Sequence, residues 1–172
     1  MEFEAYRDRM GTDTVGRYDL TPLFADAETF ESLRADLLAE VPTDPNSAPT
    51  VVAGIDALGF VLGSVLAADL DLGFVAVRKG GKLPYPEGEL LRREFVDYSG
   101  ESKALELHPR LLDADDRVLL VDEWVETGTQ MRAAAALVEA AGASVSSIAT
   151  VGIDHTEETE SLFERYDVHH LG

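Results

Sequence analysis

Leu23, Ala27, Phe30, Leu33, Leu37 and Val41 recur every three or four positions, a spacing that predicts an amphipathic helix over 27–40. The turn-rich stretch VPTDPNSAP, Val41–Pro49, ends it and joins it to a strand. Thr50–Ile55 is that strand, a short apolar run of the buried type. Leu62, Val65, Leu66 and Asp69 are too close-set for a strand and predict a helix over Gly59–Leu70. Further strands are predicted at Gly73–Val77, Arg117–Val121 and Val145–Ile153. An alanine-rich helix is predicted over Gln130–Ala141, closed by Gly142. Glu94–Tyr98 and Lys103–Leu107 read as an antiparallel pair around Ser99–Gly100–Glu101.

Strands alternating with helices predict an α/β fold, a parallel sheet covered on both faces. Residues 1–172 read as a single domain, without repeat or linker. The first 25 or so residues and the antiparallel pair fall outside the alternation and are expected to form a cap and a flap over the sheet's edge. In such sheets ligands sit beyond the carboxyl ends of the strands. The loops after Ile55, Val77 and Val121 therefore carry the chemistry.

With 45% apolar residues in 172, the chain can bury a core, and the absence of cysteine excludes disulfides and thiolate chemistry. The longest apolar stretch, Ala57–Ala68, holds two glycines and a serine and is too short to span a bilayer. The opening MEFEAYRDRM is charged where a secretory signal would be apolar, so a cytoplasmic protein is expected. Acidic residues outnumber basic ones 33 to 14, for a formal charge of −19, which disfavours nucleic acid and anionic lipid as partners. Lysine occurs only at 79, 82 and 103. An acidic, lysine-poor surface resembles that of halophilic proteins, in which salt screens the self-repulsion. Against this background Arg78, Lys79 and Lys82 cluster, with Arg92 and Arg93 shortly after. They are either a chance cluster on a solvated loop or a focused anion site.

In Arg117–Gln130 an apolar strand runs into Asp122 and Glu123, then Trp124, Val125 and Glu126, then a Thr127-Gly128-Thr129 turn before the helix. Unpaired amides and the dipole of a helix start favour an anion. The adjacent carboxylates suit hydroxyl donors such as a ribose diol, or the water shell of a metal ion. Read alone, the segment is equally an acid-capped helix N-terminus.

The same segment resembles the phosphoribosyl-pyrophosphate signature of type I phosphoribosyltransferases. Asp19–Phe30, Gly54–Phe60, Phe74–Pro84 and Tyr166–Leu171 resemble, in order, stretches of the adenine phosphoribosyltransferases within that family. The resemblance implies the type I fold with an N-terminal cap (1–25) and a flexible loop and flap (78–107). It implies transfer of a 5-phosphoribosyl group from phosphoribosyl pyrophosphate to a purine, adenine favoured, with pyrophosphate released. Asp122 and Glu123 would grip the ribose, and Glu126, Thr127, Gly128, Thr129 and Gln130 would form the phosphate loop. Ala57, Leu58 and Gly59, with Arg78, Lys79 and Lys82, would face the pyrophosphate. Mg²⁺ would be held by pyrophosphate oxygens and waters, with no direct protein ligand. A homodimer is expected by the same resemblance.

Three departures from the family pattern stand out. Leu58 replaces a usual arginine, and Thr129 and Gln130 replace a glycine and a threonine of the phosphate loop. Glu126 stands where adenine enzymes carry a small residue and where 6-oxopurine transferases carry an acid near the purine N7. Trp124, with Val125, then matches a base-stacking position, the alternative for Trp124 being a core or dimer contact. Tyr18 and Leu20 lie where the cap approaches the base, or simply pack the cap. The proton-handling acid is either Glu126 or Asp97, the latter paired with Tyr98 on the flap. Gly80–Glu94 is expected to be a lid. Two alternatives stay open: a hypoxanthine, guanine or xanthine preference, and a non-catalytic nucleotide sensor on the same fold. His155, His169 and His170 form no metal pattern, and the terminal pair reads as a surface or tail-packing feature.

Overall fold

A computed structural model describes residues 1–11, 18–86, 88–97 and 100–172. Five strands form a parallel core: β1 (Val51–Ile55), β2 (Gly73–Lys79), β5 (Arg117–Val125), β6 (Ser144–Ile153) and β7 (Val168–His170). The antiparallel pair β3 (Leu91–Val96) and β4 (Ser102–Leu107) adds to the β2 edge, giving the order β3-β4-β2-β1-β5-β6-β7. The expected flap is thus part of the sheet. β4 pairs with β2 at Arg78↔Glu106 and Lys79↔Leu105. Of the stretch expected as a lid, Gly80–Glu94, residues 91–94 belong to β3 and its cross-strand ladder. Tyr98, the flap partner of Asp97, lies outside the described residues.

The pleat of the central strands sends alternate side chains to opposite faces. Val118 and Leu120 join Ile55, Val77 and Leu105 in one core layer, under α5 (Thr129–Ala140) through Met131, Ala134, Leu137 and Val138. Leu119 and Val121 join Val52 in the other, under α3 (Ala27–Ala39) and α4 (Leu58–Asp69) through Leu33, Leu37, Leu62 and Leu66. The cap belongs to this second layer. It comprises α1 (Phe3–Arg7), a Gly11–Asp19 bridge and α2 (Thr21–Ala25), and it buries Tyr6, Leu20 and Leu23 almost completely. A buried leucine stabilises by about 2 kcal/mol relative to an exposed one. The cap is therefore held as core rather than as a loose cover. Tyr6 adds a hydrogen bond from its hydroxyl to Asp36 on α3, at 2.5 Å.

Local chemistry sets the helix starts. Asp26 caps α3 by accepting from the Thr29 amide at 2.9 Å. α6 (Glu157–Phe163) opens with a reciprocal capping box between Thr156 and Thr159. α4 lies so close to the sheet that a Cβ on Gly54 would stand 2.4 Å from the Gly59 carbonyl oxygen. One on Gly59 would stand 2.6 Å from the carbonyl oxygen of Val121. Only glycine permits this approach. It locks the loop after β1 against the end of β5.

The predicted helices over 27–40, 59–70 and 130–141 correspond to α3, α4 and α5. β5 runs four residues beyond its predicted end at Val121, because β6 continues the parallel ladder to Val125↔Ile153. The acids Asp122 and Glu123 therefore sit on a strand.

Candidate active site

A cavity of about 650 Å³ opens beyond the carboxyl ends of β1, β2, β5 and β6. Tyr18 and Leu20 line it from the cap, and Asp56, Ala57 and Leu58 from the loop after β1. Lys79 and Gly80 contribute from the end of β2 and just beyond it, Arg92 and Asp97 from the β3 arm, and Asp122 through Met131 from the end of β5 and the start of α5. Fifteen of the eighteen residues singled out from the sequence meet in this one space.

Asp122 is almost fully buried. Its Oδ1 accepts from the Glu123 amide at 3.0 Å and its Oδ2 from the Gln130 side-chain amide at 2.9 Å. Burial first, and the neighbouring Glu123 carboxyl second, push the Asp122 carboxyl well above the usual carboxylate range. The more exposed Glu123 completes a pair of adjacent acceptors facing the cavity. Beyond it the chain turns at Thr127–Gly128, with the Thr127 and Thr129 hydroxyls 3.0 Å apart. Gly128 has φ of +72° and is the N-cap of α5. The left-handed residue folds the chain so that the first amides of the helix, which have no intrahelical acceptor, gather at its mouth.

Trp124 is braced rather than bare. Its ring centroid lies 4.8 Å from that of Tyr18, tilted by 42°, and 6.4 Å from that of Phe3. Its Nε1 donates to Asp154 at 3.0 Å. A Cβ on Gly152 would fall 2.2 Å from the indole, so the strand leaves room there for the ring alone. Tyr18 is 42% exposed and carries the aromatic surface that faces solvent. Val125 is buried in the core layer beneath α5 as well as touching the cavity.

The two candidate acids both border the cavity. Glu126 stands between Val125 and the Thr127 turn, and Asp97 lies past the end of β3. Asp97 pairs with Lys103 at 3.3 Å and accepts from the Glu101 amide at 3.1 Å.

The basic cluster divides. Lys79 lines the cavity, whereas Gly59, Arg78 and Lys82 do not. Gly59 faces the sheet. Arg78 donates from Nε to Asp56 Oδ2 at 3.0 Å and lies over the Phe60 ring, 5.7 Å from its centroid. Lys82 is exposed on a turn whose amide bonds back to the Lys79 carbonyl.

Sequence reasoning left Arg92 undecided and did not single out Asp56 or Asp154, and all three line the cavity. Arg92 sits directly across the β3–β4 ladder from buried Glu106 and donates to it at 2.7 Å. Glu106 also accepts from the Gly81 amide at 2.8 Å, so one carboxylate holds both a cation and a loop at the cavity edge. A strand started at Leu91 would have set Arg92 opposite Glu106. Asp154 directly follows the last residue of β6 and Asp56 the last of β1, the positions where strand ends deliver ligand-facing groups.

The sheet order, the acid pair at the end of β5 and the amide-rich turn into α5 set hydroxyl-type acceptors beside anion-type donors at the mouth of an α/β sheet. Residues 24–168 match the phosphoribosyl transferase domain, and the chain belongs to the phosphoribosyltransferase family. Among its relatives, the adenine phosphoribosyltransferase of Nocardia farcinica is 43% identical over 148 residues, covering 85% of this chain and 72% of that protein. The enzyme of the same name from Albidiferax ferrireducens is 43% identical over 127 residues, 74% of this chain, and the match spans 63% of its length. The adenine phosphoribosyltransferase of Rhodothermus marinus superposes with a TM-score of 0.84 at 30% identity, covering 98% of this chain and 96% of that one. A 6-oxopurine transferase or a sensor has no counterpart among these three.

Among the described residues no group of three or more acids and histidines is arranged to hold a metal ion, and no helix is long and apolar enough to cross a membrane. His155, Phe163 and His170 form one ring cluster, consistent with tail packing.

Proposed function

We propose that the protein transfers the 5-phosphoribosyl group of phosphoribosyl pyrophosphate to adenine, giving the nucleoside monophosphate and pyrophosphate, as a purine-salvage enzyme. The observation that carries this is the continuity of Asp122, Glu123 and the Thr127–Gln130 turn along one wall of the cavity. Diol acceptors and phosphate donors there follow one another as the hydroxyls and 5′-phosphate do on the sugar. The relatives described above are adenine phosphoribosyltransferases, which supports adenine as the base.

In this reading Asp122 and Glu123 accept from the ribose hydroxyls, and the amides at the start of α5 hold the 5′-phosphate. Positive charge grows on the sugar and negative charge on the departing pyrophosphate. Lys79, Arg92 and Lys103 are the cationic side chains lining the cavity, Lys103 paired with Asp97 and Glu101, and the Ala57–Leu58 segment adds main-chain donors. Arg78 supports this wall through Asp56. Lys82 reaches the pyrophosphate by movement of the 80–90 loop, which serves as the lid that excludes water. The described residues fit a Mg²⁺ ion that enters on the pyrophosphate, because Glu123 and Asp122 offer acceptors for its water shell but no closed ligand set. Such an ion would neutralise the leaving group. Tyr18, braced by Trp124, stacks on the base, with Leu20 and Val125 beside it. Either Glu126 or Asp97 takes the proton that the purine loses.

Residues 1–172 are read as one domain with a cap (1–25) and a loop-and-flap region (78–107), working as a homodimer in the cytoplasm. The test is incubation with phosphoribosyl pyrophosphate, Mg²⁺ and each of adenine, hypoxanthine, guanine and xanthine in turn. Nucleotide is expected from adenine, and a protein that turns over none of the four is not this enzyme. Glu123→Ala is expected to weaken phosphoribosyl pyrophosphate binding by about tenfold, the loss of a charge-assisted hydrogen bond. Unchanged affinity removes the diol role.

A further inference from the structure

Arg132, one turn into α5, points back under the loop that precedes the helix. Its Nη2 donates to the Thr127 carbonyl oxygen at 3.0 Å. Its Nη1 donates to the Glu158 carbonyl oxygen at 2.8 Å and to Ser161 Oγ at 3.2 Å, both on α6. The guanidinium therefore bridges the turn and a separate helix. A Cβ on Gly128 would lie 2.9 Å from Arg132 Nη1 and 3.0 Å from Leu162 Cδ1, so the loop rests on this support with no space for a side chain.

The geometry points to Arg132 as a positioning residue for the sugar phosphate, an assignment that rests on the proposed transferase reading. In a trans peptide the carbonyl and the amide point in opposite directions. Arg132 anchors the Thr127 carbonyl on the side facing α6, which turns the Gly128 amide the other way, toward the cavity. Gly128, at φ +72°, then carries the following amides round in the same sense. Gln130 ties the start of α5 to Asp122 and the Thr127 and Thr129 hydroxyls meet, but neither contact fixes the Thr127 carbonyl. Arg132 does so, through the main chain. It touches no substrate in this assignment, and its role is to hold a donor array ready before the phosphate arrives.

The test is calorimetric titration of the wild-type protein, Arg132→Met and Arg132→Lys with ribose 5-phosphate and, separately, with pyrophosphate and Mg²⁺. Arg132→Met is expected to weaken ribose 5-phosphate by about tenfold, the loss of one well-placed charged hydrogen bond, and to leave pyrophosphate within about twofold. Arg132→Lys is expected to fall between. Ser161→Ala, which removes one anchor on α6 without touching the loop, is expected to shift ribose 5-phosphate affinity in the same direction by less. In turnover the loss is expected in KM for phosphoribosyl pyrophosphate rather than in kcat. Equal weakening of both ligands would mark a merely structural role and overturn the assignment. Wild-type binding of ribose 5-phosphate matched by Arg132→Met overturns Arg132 alone. A wild-type protein that ignores ribose 5-phosphate overturns the transferase reading and this one together.

Discussion

The side-chain amide of Gln130 donates to Asp122 Oδ2 at 2.9 Å, tying the first turn of α5 to the buried acid near the end of β5. The residue expected to serve the phosphate thus also holds the acid expected to grip the ribose.

That carboxyl titrates above its ordinary range because it is buried and beside Glu123. The folded protein therefore holds the Asp122 proton more tightly than the unfolded chain does. Stability from this group is full at acid pH, below the unfolded carboxylate value of about 4, and falls as pH rises toward the higher folded value. Asp122→Asn removes the titration. The variant is expected to gain in Tm over the parent progressively across the range above about pH 4, while losing affinity for phosphoribosyl pyrophosphate. Calorimetric melts across that range check it. A gap that stays constant with pH contradicts the assignment.

Glu126 and Asp97 reach the cavity from different elements, and single substitutions separate them. Of Glu126→Gln and Asp97→Asn, one is expected to lower kcat by about tenfold or more and the other by less than about threefold. Steady-state kinetics with saturating substrates decides which. If both stay near wild type, neither acid handles the proton.

Tyr18 presents its ring to the cavity while Trp124 backs it. Tyr18→Ala is expected to raise KM for adenine by about five- to tenfold, with KM for phosphoribosyl pyrophosphate within about twofold. Equal rises in both would assign the ring to cap packing instead.

A charge of −19 on 172 residues is self-repulsive. Raising KCl from about 0.1 M to about 1 M shortens the screening length roughly threefold, and Tm is expected to climb by several degrees. A flat or falling Tm in that series speaks against adaptation to high salt.

Much of the fold was legible because long periodic segments such as 27–40 and 130–141 announce their class. The end of β5 was not. Asp122 and Glu123 interrupt the apolar run, yet the strand continues because β6, more than twenty residues on in sequence, supplies main-chain partners. Pairing of that kind leaves no local trace. α6 and β7 are short, and the charged sequence EETESLF hides a helix whose start depends on a Thr156–Thr159 cap. In the site, the acid pair and the turn were readable as one motif. The pairing of Arg92 with Glu106 and the place of Asp154 were not, since the first depends on a partner across a ladder and the second on the fold bringing β6 beside β5. The bracing of Trp124 by Tyr18 was equally hidden, for it exists only once the cap has folded onto the sheet.

Gly54 and Gly59 bring the start of α4 into main-chain contact with the carboxyl end of β5. The two rims that would grasp opposite ends of the activated sugar are consequently parts of one stiff frame. Their spacing works as a gauge cut from peptide backbone, indifferent to which side chains decorate it. Such a gauge would keep the length it measures even where Leu58 or Thr129 were exchanged for another residue.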